Sequence, residues 1–393
     1  MSKMMMDRRL FLGGAAAAGL ALPGVSFASP NTEKRFVLII QRGAQDGIHV
    51  LPPYGDPQYK ALRKATRIPT PGQEGGALKL DGLFGMHPEL GALAKLYRQK
   101  ELIVFPAIAT GYRGRSHFDG QNQLENGSNR PYGSSSGFLN RALRAMPSQP
   151  SGLSMGLNYP LAMNGKAQVW HFAPTTMKPP SDDFLARVEE MYADDPVLLG
   201  TLDAELLESA VSDLGVQERN GISSGRDLPS SALVAGRLLA KPDGPRIAIL
   251  SSEGWDSHSQ LLQKSLKLMP SLNRAVANLQ TGLGSAWKDT VVMTVSEFGR
   301  TAAENGSRGS DHGTGGVSFL FGGAVEGGRI MGDWAGLRPQ DLLDGRDVRP
   351  TVSTESVLKG VLGSHLGIPE GHLEETVFPG SRTAAAQTGL LKA

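Results

Sequence analysis

The chain has 393 residues, including 50 glycines and no cysteine, and its formal net charge is +2. The lack of cysteine excludes disulfide bonds, thiolate zinc sites, iron–sulfur clusters and cysteine nucleophiles. Residues 1–28 carry three basic side chains and one acidic side chain and so account for the whole charge, and the neutral remainder argues against nucleic-acid binding through a broad basic field.

Residues 1–28 have the layout of an export signal. The pair Arg8-Arg9 precedes a weakly apolar run of Ala and Gly, and small residues up to Ala28 suit a cleavage site. Paired arginines predict a twin-arginine (Tat) signal, the Tat export machinery as a partner, and a periplasmic or secreted location. The alternatives are a Sec signal or a retained anchor. The run is shorter than the about 20 apolar residues that span a bilayer, so we expect no stable membrane span.

Residues 29–393 are predicted to form one α/β domain. Short apolar runs predict buried strands at 36–41, 102–105, 246–251, 290–296 and 317–321. Helical spacing predicts helices at 89–100, 183–220, 259–281 with a kink at Pro270, and 352–366. Segments rich in Pro, Gly or Ser predict loops at 52–88, 126–137 and 222–230. Alternating strands and helices predict a doubly wound, mainly parallel sheet with helices on both faces and glycine-rich loops.

Polar residues follow four of the predicted strands. They are Arg42 and Asp46 after the first, Ser116, His117 and Asp119 beyond the second, Asp256 and His258 after the third, and Glu297 after the fourth. Ligands bind at the carboxyl ends of the strands in such sheets. The sequence therefore predicts a functional site at this edge.

Two pairs of acid and histidine are candidate metal ligands. Asp256 and His258 flank one residue, so an extended loop presents both on one side, and the pair suits zinc or manganese. Asp311 and His312 lie in a glycine-rich loop that can wrap a metal or a phosphate. The alternatives are a turn Asp with a surface His, and an ordinary loop. Glu297 is a further candidate metal ligand.

Ser116 and three arginines are candidates for contact with a substrate. Ser116 precedes a helix, so its hydroxyl is either a nucleophile or an N-cap. The arginines either hold an anionic group or pair with acids inside the fold. The arginines are Arg42, Arg115 and Arg300, and the acids considered as their partners are Asp46, Asp119 and Glu297.

A set of local strings resembles a known family. The strings are Arg42-Gly-Ala-Gln-Asp46-Gly47, Pro53-Tyr54-Gly55-Asp56-Pro57, Arg115-Ser116-His117-Phe118-Asp119, Gly254-Trp255-Asp256-Ser257-His258, Ser296-Glu297-Phe298-Gly299-Arg300, Asp311-His312-Gly313-Thr314 and Asp347-Val348-Arg349-Pro350-Thr351. Their order resembles the bacterial family catalogued as domain of unknown function 1501. Its members are mostly Tat-exported and related to the alkaline phosphatase and sulfatase superfamily.

The resemblance implies an alkaline-phosphatase-like fold with two divalent metals, often zinc, over the strand ends. Asp46 resembles the metal-binding Asp after the first strand, and Ser116 resembles the nucleophile at a helix N-terminus. Asp256 with His258, and Asp311 with His312, resemble the residues that hold the two metals. The chain departs from the superfamily pattern in three places: Arg42 stands where Asp is usual, one residue separates Asp256 from His258 where three are usual, and Glu297 follows the fourth strand where an Asp-His-Gly string is usual.

These expectations lead to two main hypotheses about function. The first is an exported, metal-dependent hydrolase of phosphate or sulfate esters, in which Ser116 attacks while Arg42 and Arg115 hold an anionic small-molecule or polymer substrate. The second is a non-catalytic periplasmic binding or assembly protein on the same fold. A third hypothesis is carbohydrate processing by paired carboxylates. The Cys-x-Pro-Ser-Arg sulfatase signature is impossible without cysteine, so a formylglycine sulfatase is excluded unless a serine is modified, and the sequence context for that is absent.

Overall fold

The computed structural model of the protein describes residues 32–172, Arg187 and 227–392. The predicted export signal lies outside the described residues, and so does the predicted helix over 183–220, apart from Arg187, which is helical. Among the described residues, no helix combines the length and the apolar character needed to cross a membrane.

A mixed, mainly parallel sheet forms the centre of the described part of the chain. The strands are β1 (Arg35–Gln41), β2 (Leu78–Lys79), β3 (Gly85–Met86), β4 (Leu102–Ala109), β5 (Gly152–Met155), β6 (Val169–Phe172), β7 (Ile247–Ser252), β8 (Thr290–Val295), β9 (Gly316–Phe321), β10 (Arg329–Ile330) and β11 (Val352–Ser353). Nine of them form one sheet in the order β10-β4-β9-β8-β1-β7-β5-β6, with β11 also beside β4, and β2 pairs with β3 separately. In the large sheet β9 is antiparallel to β4 and β8, and the other described pairings are parallel.

Helices cover both faces of this sheet. They are α1 (Gly47–Val50), α2 (Tyr59–Leu62), α3 (Gly91–Arg98), α4 (His117–Asn126), α5 (Phe138–Ala145), α6 (Leu228–Ala240), α7 (Leu261–Leu283), α8 (Thr354–Ser364) and α9 (Glu370–His372). Alternate residues of β1 enter different apolar clusters, one with α3, α6 and α7 and the other with α5 and α8. Successive side chains of a strand point to opposite faces, so the predicted doubly wound architecture is confirmed.

The five predicted strands and the helices predicted near α3, α7 and α8 are confirmed, with small shifts of their ends. The prediction of a loop through 222–230 was wrong at its end, because α6 begins at Leu228. Asp227 caps that helix by accepting a hydrogen bond from Ser230 N, and Pro229 lies in its first turn, where proline needs no amide hydrogen. The short elements β5, β6 and α5 were not predicted.

The antiparallel strand β9 places one long loop at the functional edge. Residues 296–315 leave the carboxyl end of β8 and return to the amino end of β9. Because β9 runs opposite to β8, both ends lie at the same edge of the sheet. The Asp311-His312 pair is therefore carried to the edge at which β1, β4 and β7 also end.

Candidate metal centre

Three side chains from separate elements converge at the carboxyl edge of the sheet. His117 is the first residue of α4, Asp256 lies in the loop after β7, and His312 lies in the loop before β9. One nitrogen or oxygen atom of each lies within 4.8 Å of the corresponding atoms of the other two. Two imidazoles and a carboxylate are a ligand set that divalent zinc prefers.

A buried carboxylate orients His117. Nδ1 of His117 lies 2.8 Å from Oε1 of Glu297, and the Glu297 side chain is 0% exposed. That same oxygen accepts from Gly43 N at 2.9 Å and from Gln121 Nε2 at 3.0 Å. Burial opposes ionisation of Glu297, but the hydrogen bonds from His117 and Gln121 outweigh it and lower the pKa of the carboxyl.

The contact with Glu297 leaves the other nitrogen of His117 available. An ionised carboxylate only accepts hydrogen bonds, so Nδ1 carries a hydrogen and Nε2 is the ring nitrogen left to bind a metal. Nε2 of His117 is buried and has no hydrogen-bond partner. It lies 3.8 Å from Oδ2 of Asp256. A carboxylate behind a histidine whose second nitrogen is free is the arrangement that supports metal-binding histidines.

A backbone carbonyl orients His312 in the same way. Nδ1 of His312 lies 2.8 Å from the carbonyl oxygen of Arg115, which can only accept. Arg115 has a φ of 72°, a left-handed conformation that few non-glycine residues adopt. Burial lowers the pKa of His312, which favours the neutral ring that a metal requires.

A buried arginine keeps Asp256 ionised. Nη2 of Arg300 donates to Oδ1 of Asp256 at 2.6 Å. Burial raises the pKa of this carboxyl, but the hydrogen bond and charge of Arg300 outweigh burial and lower it. Arg300 also donates to the carbonyl oxygens of Gly43, Ala44 and Ser310. It therefore ties the loop after β7 to the loop after β1.

His258 lies beside the three converging residues. Its Nε2 is 2.8 Å from Nε2 of His312 and 3.4 Å from Oδ1 of Asp256. Its Nδ1 is 3.3 Å from Oδ1 of Asp311. The side chain is 47% exposed, so it forms the solvent-facing margin of the centre.

Three carboxylates lie around the imidazoles. Glu297, Asp256 and Asp311 each have a lowered pKa, and Arg300 donates to Asp256. Arg42 and Arg346 also act on this group, because their charges interact with Glu297 and Asp311. The carboxylate and imidazole donors of the centre fit a divalent metal.

Two other predicted residues are engaged elsewhere. Asp46 lies in a bidentate ion pair with Arg63, at 2.8 and 3.0 Å, and is not one of the three converging residues. Ser116 is the N-cap of α4, and its Oγ accepts from Asp119 N at 3.4 Å.

The arginines pair with acids other than those considered from the sequence. Arg42 pairs with Glu125 at 2.6 Å. Arg115 pairs with Asp347 at 3.1 Å. Arg300 pairs with Asp256 rather than Glu297. In each case the partner is distant in sequence, so local spacing could not identify it.

Sequence reasoning placed His117 at a strand end but gave it no role. The only signal was its position next to Ser116 at the predicted start of a helix. The sequence also made Glu297 a candidate metal ligand or a partner of Arg300, whereas in the structure Glu297 is bonded to Nδ1 of His117.

A sequence model described as "Protein of unknown function (DUF1501)" matches residues 84–377, a range that contains His117, Asp256 and His312. No curated protein matches the sequence significantly. Among solved structures, Ps i-CgsB in complex with k-i-k-neocarrahexaose is 13% identical, with 90% of this chain and 77% of that chain covered and a TM-score of 0.41. The lipoteichoic acid synthase LtaP from Listeria monocytogenes is 11% identical, with 90% and 77% covered and a TM-score of 0.36. A putative sulfatase from Bacteroides thetaiotaomicron is 10% identical, with 73% and 64% covered and a TM-score of 0.36.

Proposed function

The chain belongs to the DUF1501 family of proteins of unknown function, and we propose that it is an exported, metal-dependent hydrolase of phosphate or sulfate esters. In this proposal His117, Asp256 and His312 hold one divalent ion, with zinc preferred over manganese because two of the three ligands are imidazoles. The observation that carries the proposal is the buried Nε2 of His117, which has no hydrogen-bond partner and faces Asp256.

Three protein ligands suit catalysis better than a purely structural role. Structural zinc sites are usually closed by four protein ligands, whereas catalytic sites use three and keep a position open. A bound divalent ion would supply Lewis-acid polarisation of the ester and would lower the pKa of an attacking hydroxyl. Glu297 orients His117, the Arg115 carbonyl orients His312, and Arg300 keeps Asp256 ionised.

The substrate contacts are less closely defined than the ligands. Ser116 remains our candidate nucleophile because it adjoins His117 and its Oγ accepts only a long hydrogen bond, of 3.4 Å. Arg115 is 43% exposed and so is better placed to meet an anion than Arg42, which Glu125 and Gln121 enclose. A guanidinium suits both phosphate and sulfate groups, on a small molecule or on a polymer.

A periplasmic binding or assembly protein is the second candidate. The observation that favours it is that Ser116 caps a helix while Arg42 and Arg115 are each paired with a carboxylate. All three groups assigned to the substrate therefore have structural partners. Under this alternative the centre still binds a metal, but no ester is turned over.

Export through the Tat machinery is part of the same proposal. It is supported by Arg8-Arg9 and the weakly apolar run that follows them. Tat carries folded proteins, which suits a protein that acquires its metal before export. The proposed location is the periplasm or the cell exterior.

Turnover after metal removal and return tests the proposed activity. Protein stripped with a chelator should lose hydrolysis of aryl phosphates or aryl sulfates and should regain it with zinc or manganese. His312→Ala should lack activity in either state, whereas His372→Ala, a change at an exposed histidine outside the centre, should behave as wild type. Metal-loaded wild type that turns over no phosphomonoester, phosphodiester or sulfate would favour the binding-protein alternative.

A further inference from the structure

A buried ion pair lies next to the proposed metal centre. Nη1 of Arg63 donates to Oδ2 of Asp46 at 2.8 Å, and Nη2 donates to Oδ1 at 3.0 Å. The side chains are 1% and 3% exposed. Ser310 also donates its hydroxyl to Oδ2 of Asp46, at 2.5 Å.

Oxygen atoms surround the guanidinium of Arg63. Besides the two carboxylate oxygens, the carbonyl of Ala302 accepts from Nε at 2.8 Å and the carbonyl of Thr301 accepts from Nη2 at 2.8 Å. One carboxylate with two carbonyls and a nearby hydroxyl is a donor set that hard divalent cations such as Ca²⁺ take. Arg63 supplies a positive charge to this set through a side chain that cannot dissociate.

The second metal implied by the family resemblance does not fit beside Asp46, because Arg63 already satisfies both carboxylate oxygens. We propose that Arg63 is a resident cation that takes the place of a second metal ion at Asp46, so that the chain binds one divalent ion. The count of one rests on the proposed function, since it assumes that His117 and His312 hold that ion.

The same ion pair positions a loop of the metal centre. Ser310 lies two residues before His312 and is fully buried. Its amide donates to the Ser257 carbonyl at 3.0 Å, and its carbonyl accepts from Arg300 at 3.0 Å. Its hydroxyl is held by Asp46, so all its polar atoms are fixed. Arg63 and Asp46 therefore help to set where His312 lies.

Ion counting on wild-type protein is the first arm of the test. Protein equilibrated with excess zinc and then desalted should hold one ion per chain. Asp46→Asn should still hold one ion, with a weaker affinity because the Ser310 loop is less well fixed. Wild type that holds two ions, with one of them lost in Asp46→Asn, would overturn the inference.

Removing the resident cation is the second arm. Arg63→Ala should lower the melting temperature and create a Ca²⁺-dependent rise in it, because the freed oxygens can bind Ca²⁺. Arg246→Ala is the matched control, since Arg246 is also fully buried and donates to backbone carbonyls, but away from the centre. No Ca²⁺-dependent rise in melting temperature is expected in wild type, in the Arg246→Ala control or in the double variant Asp46→Asn/Arg63→Ala. A folded Arg63→Ala protein without the Ca²⁺ effect would count against the inference.

The two proposals fail separately. If His117→Ala and His312→Ala keep the zinc of the wild type, the proposed centre is wrong, whatever Arg63 does. If they lose it but wild type holds a second ion at Asp46, only the resident-cation inference is wrong. If Arg63→Ala does not fold, Arg63→Lys replaces it, because lysine keeps the charge without the bidentate contact. Arg63→Lys should still hold one zinc ion. The number of ions held by wild type then decides between one metal site and two.

Discussion

Glu297→Gln isolates the contribution of the carboxylate behind His117. The change keeps the size of the side chain but removes its charge, and one of its two ends becomes an amide that cannot accept a hydrogen bond. Oε1 of Glu297 accepts three hydrogen bonds, so a glutamine that turns its amide nitrogen to that place would leave three donors without an acceptor, and the opposite orientation accepts them without the charge.

The expected effect is a loss of metal affinity rather than a loss of the metal ligands. Replacing such an outer carboxylate typically weakens metal binding about 10- to 100-fold, which corresponds to about 1.4–2.7 kcal/mol. We expect zinc affinity to fall within this range, because the ring of His117 is less firmly oriented and the centre carries one negative charge fewer.

Competition with a chromophoric chelator measures this affinity directly. Glu125→Gln is the matched control. Glu125 is a buried carboxylate on the same helix as His117, but it pairs with Arg42 and not with a histidine of the metal centre. The reasoning is refuted if Glu297→Gln binds zinc as tightly as wild type, or if the control loses as much affinity.

Three further predictions concern export, chemistry and pH. Replacing Arg8 and Arg9 together with lysine should keep the protein in the cytoplasm with residues 1–28 attached, and cell fractionation showing normal delivery of the double variant would argue for another route. Ser116→Ala should abolish ester turnover with metal content unchanged, since an N-cap is worth only about 1 kcal/mol to the helix; retained turnover would assign the attack to another group. Burial lowers the pKa of His49 to about 4 and that of His87 to about 3, so below about pH 6.5 the unfolded chain binds protons that the folded chain does not. Chelator-treated protein should therefore be most stable above about pH 6.5 and lose stability towards pH 4, and urea titrations with no such decline would show that these rings are not buried and neutral.

The strands of the sheet were predictable where their burial produces a recognisable run of apolar residues in the sequence. Strands covered on both faces read as unbroken apolar runs, as in β1, β4, β7 and β8. Strand β5 consists of Gly152–Met155 and β6 of Val169–Phe172, four residues each, so neither forms a run long enough to distinguish from a loop. Helix α5 has eight residues, too few for a helical period to stand out beside the Gly/Ser-rich segment before it.

The site was only partly predictable, because its decisive contacts join distant parts of the chain. Strand-end positions pointed to Asp256, and the glycine-rich loop pointed to Asp311 and His312. They could not separate His117 from Ser116, since that choice depends on the bond between His117 and Glu297. Nothing in the local sequence marked the buried cation at Asp46, because Arg63 follows α2 in a segment predicted as loop.

The zinc content of wild type and His117→Ala tests the central claim most directly. Protein purified without chelators, equilibrated with zinc and desalted would be assayed by elemental analysis, with His372→Ala as the control. The account predicts one tightly held ion per chain in wild type and control, and a loss of that ion in His117→Ala. Wild type that retains no divalent metal, or His117→Ala that retains as much as wild type, would contradict it.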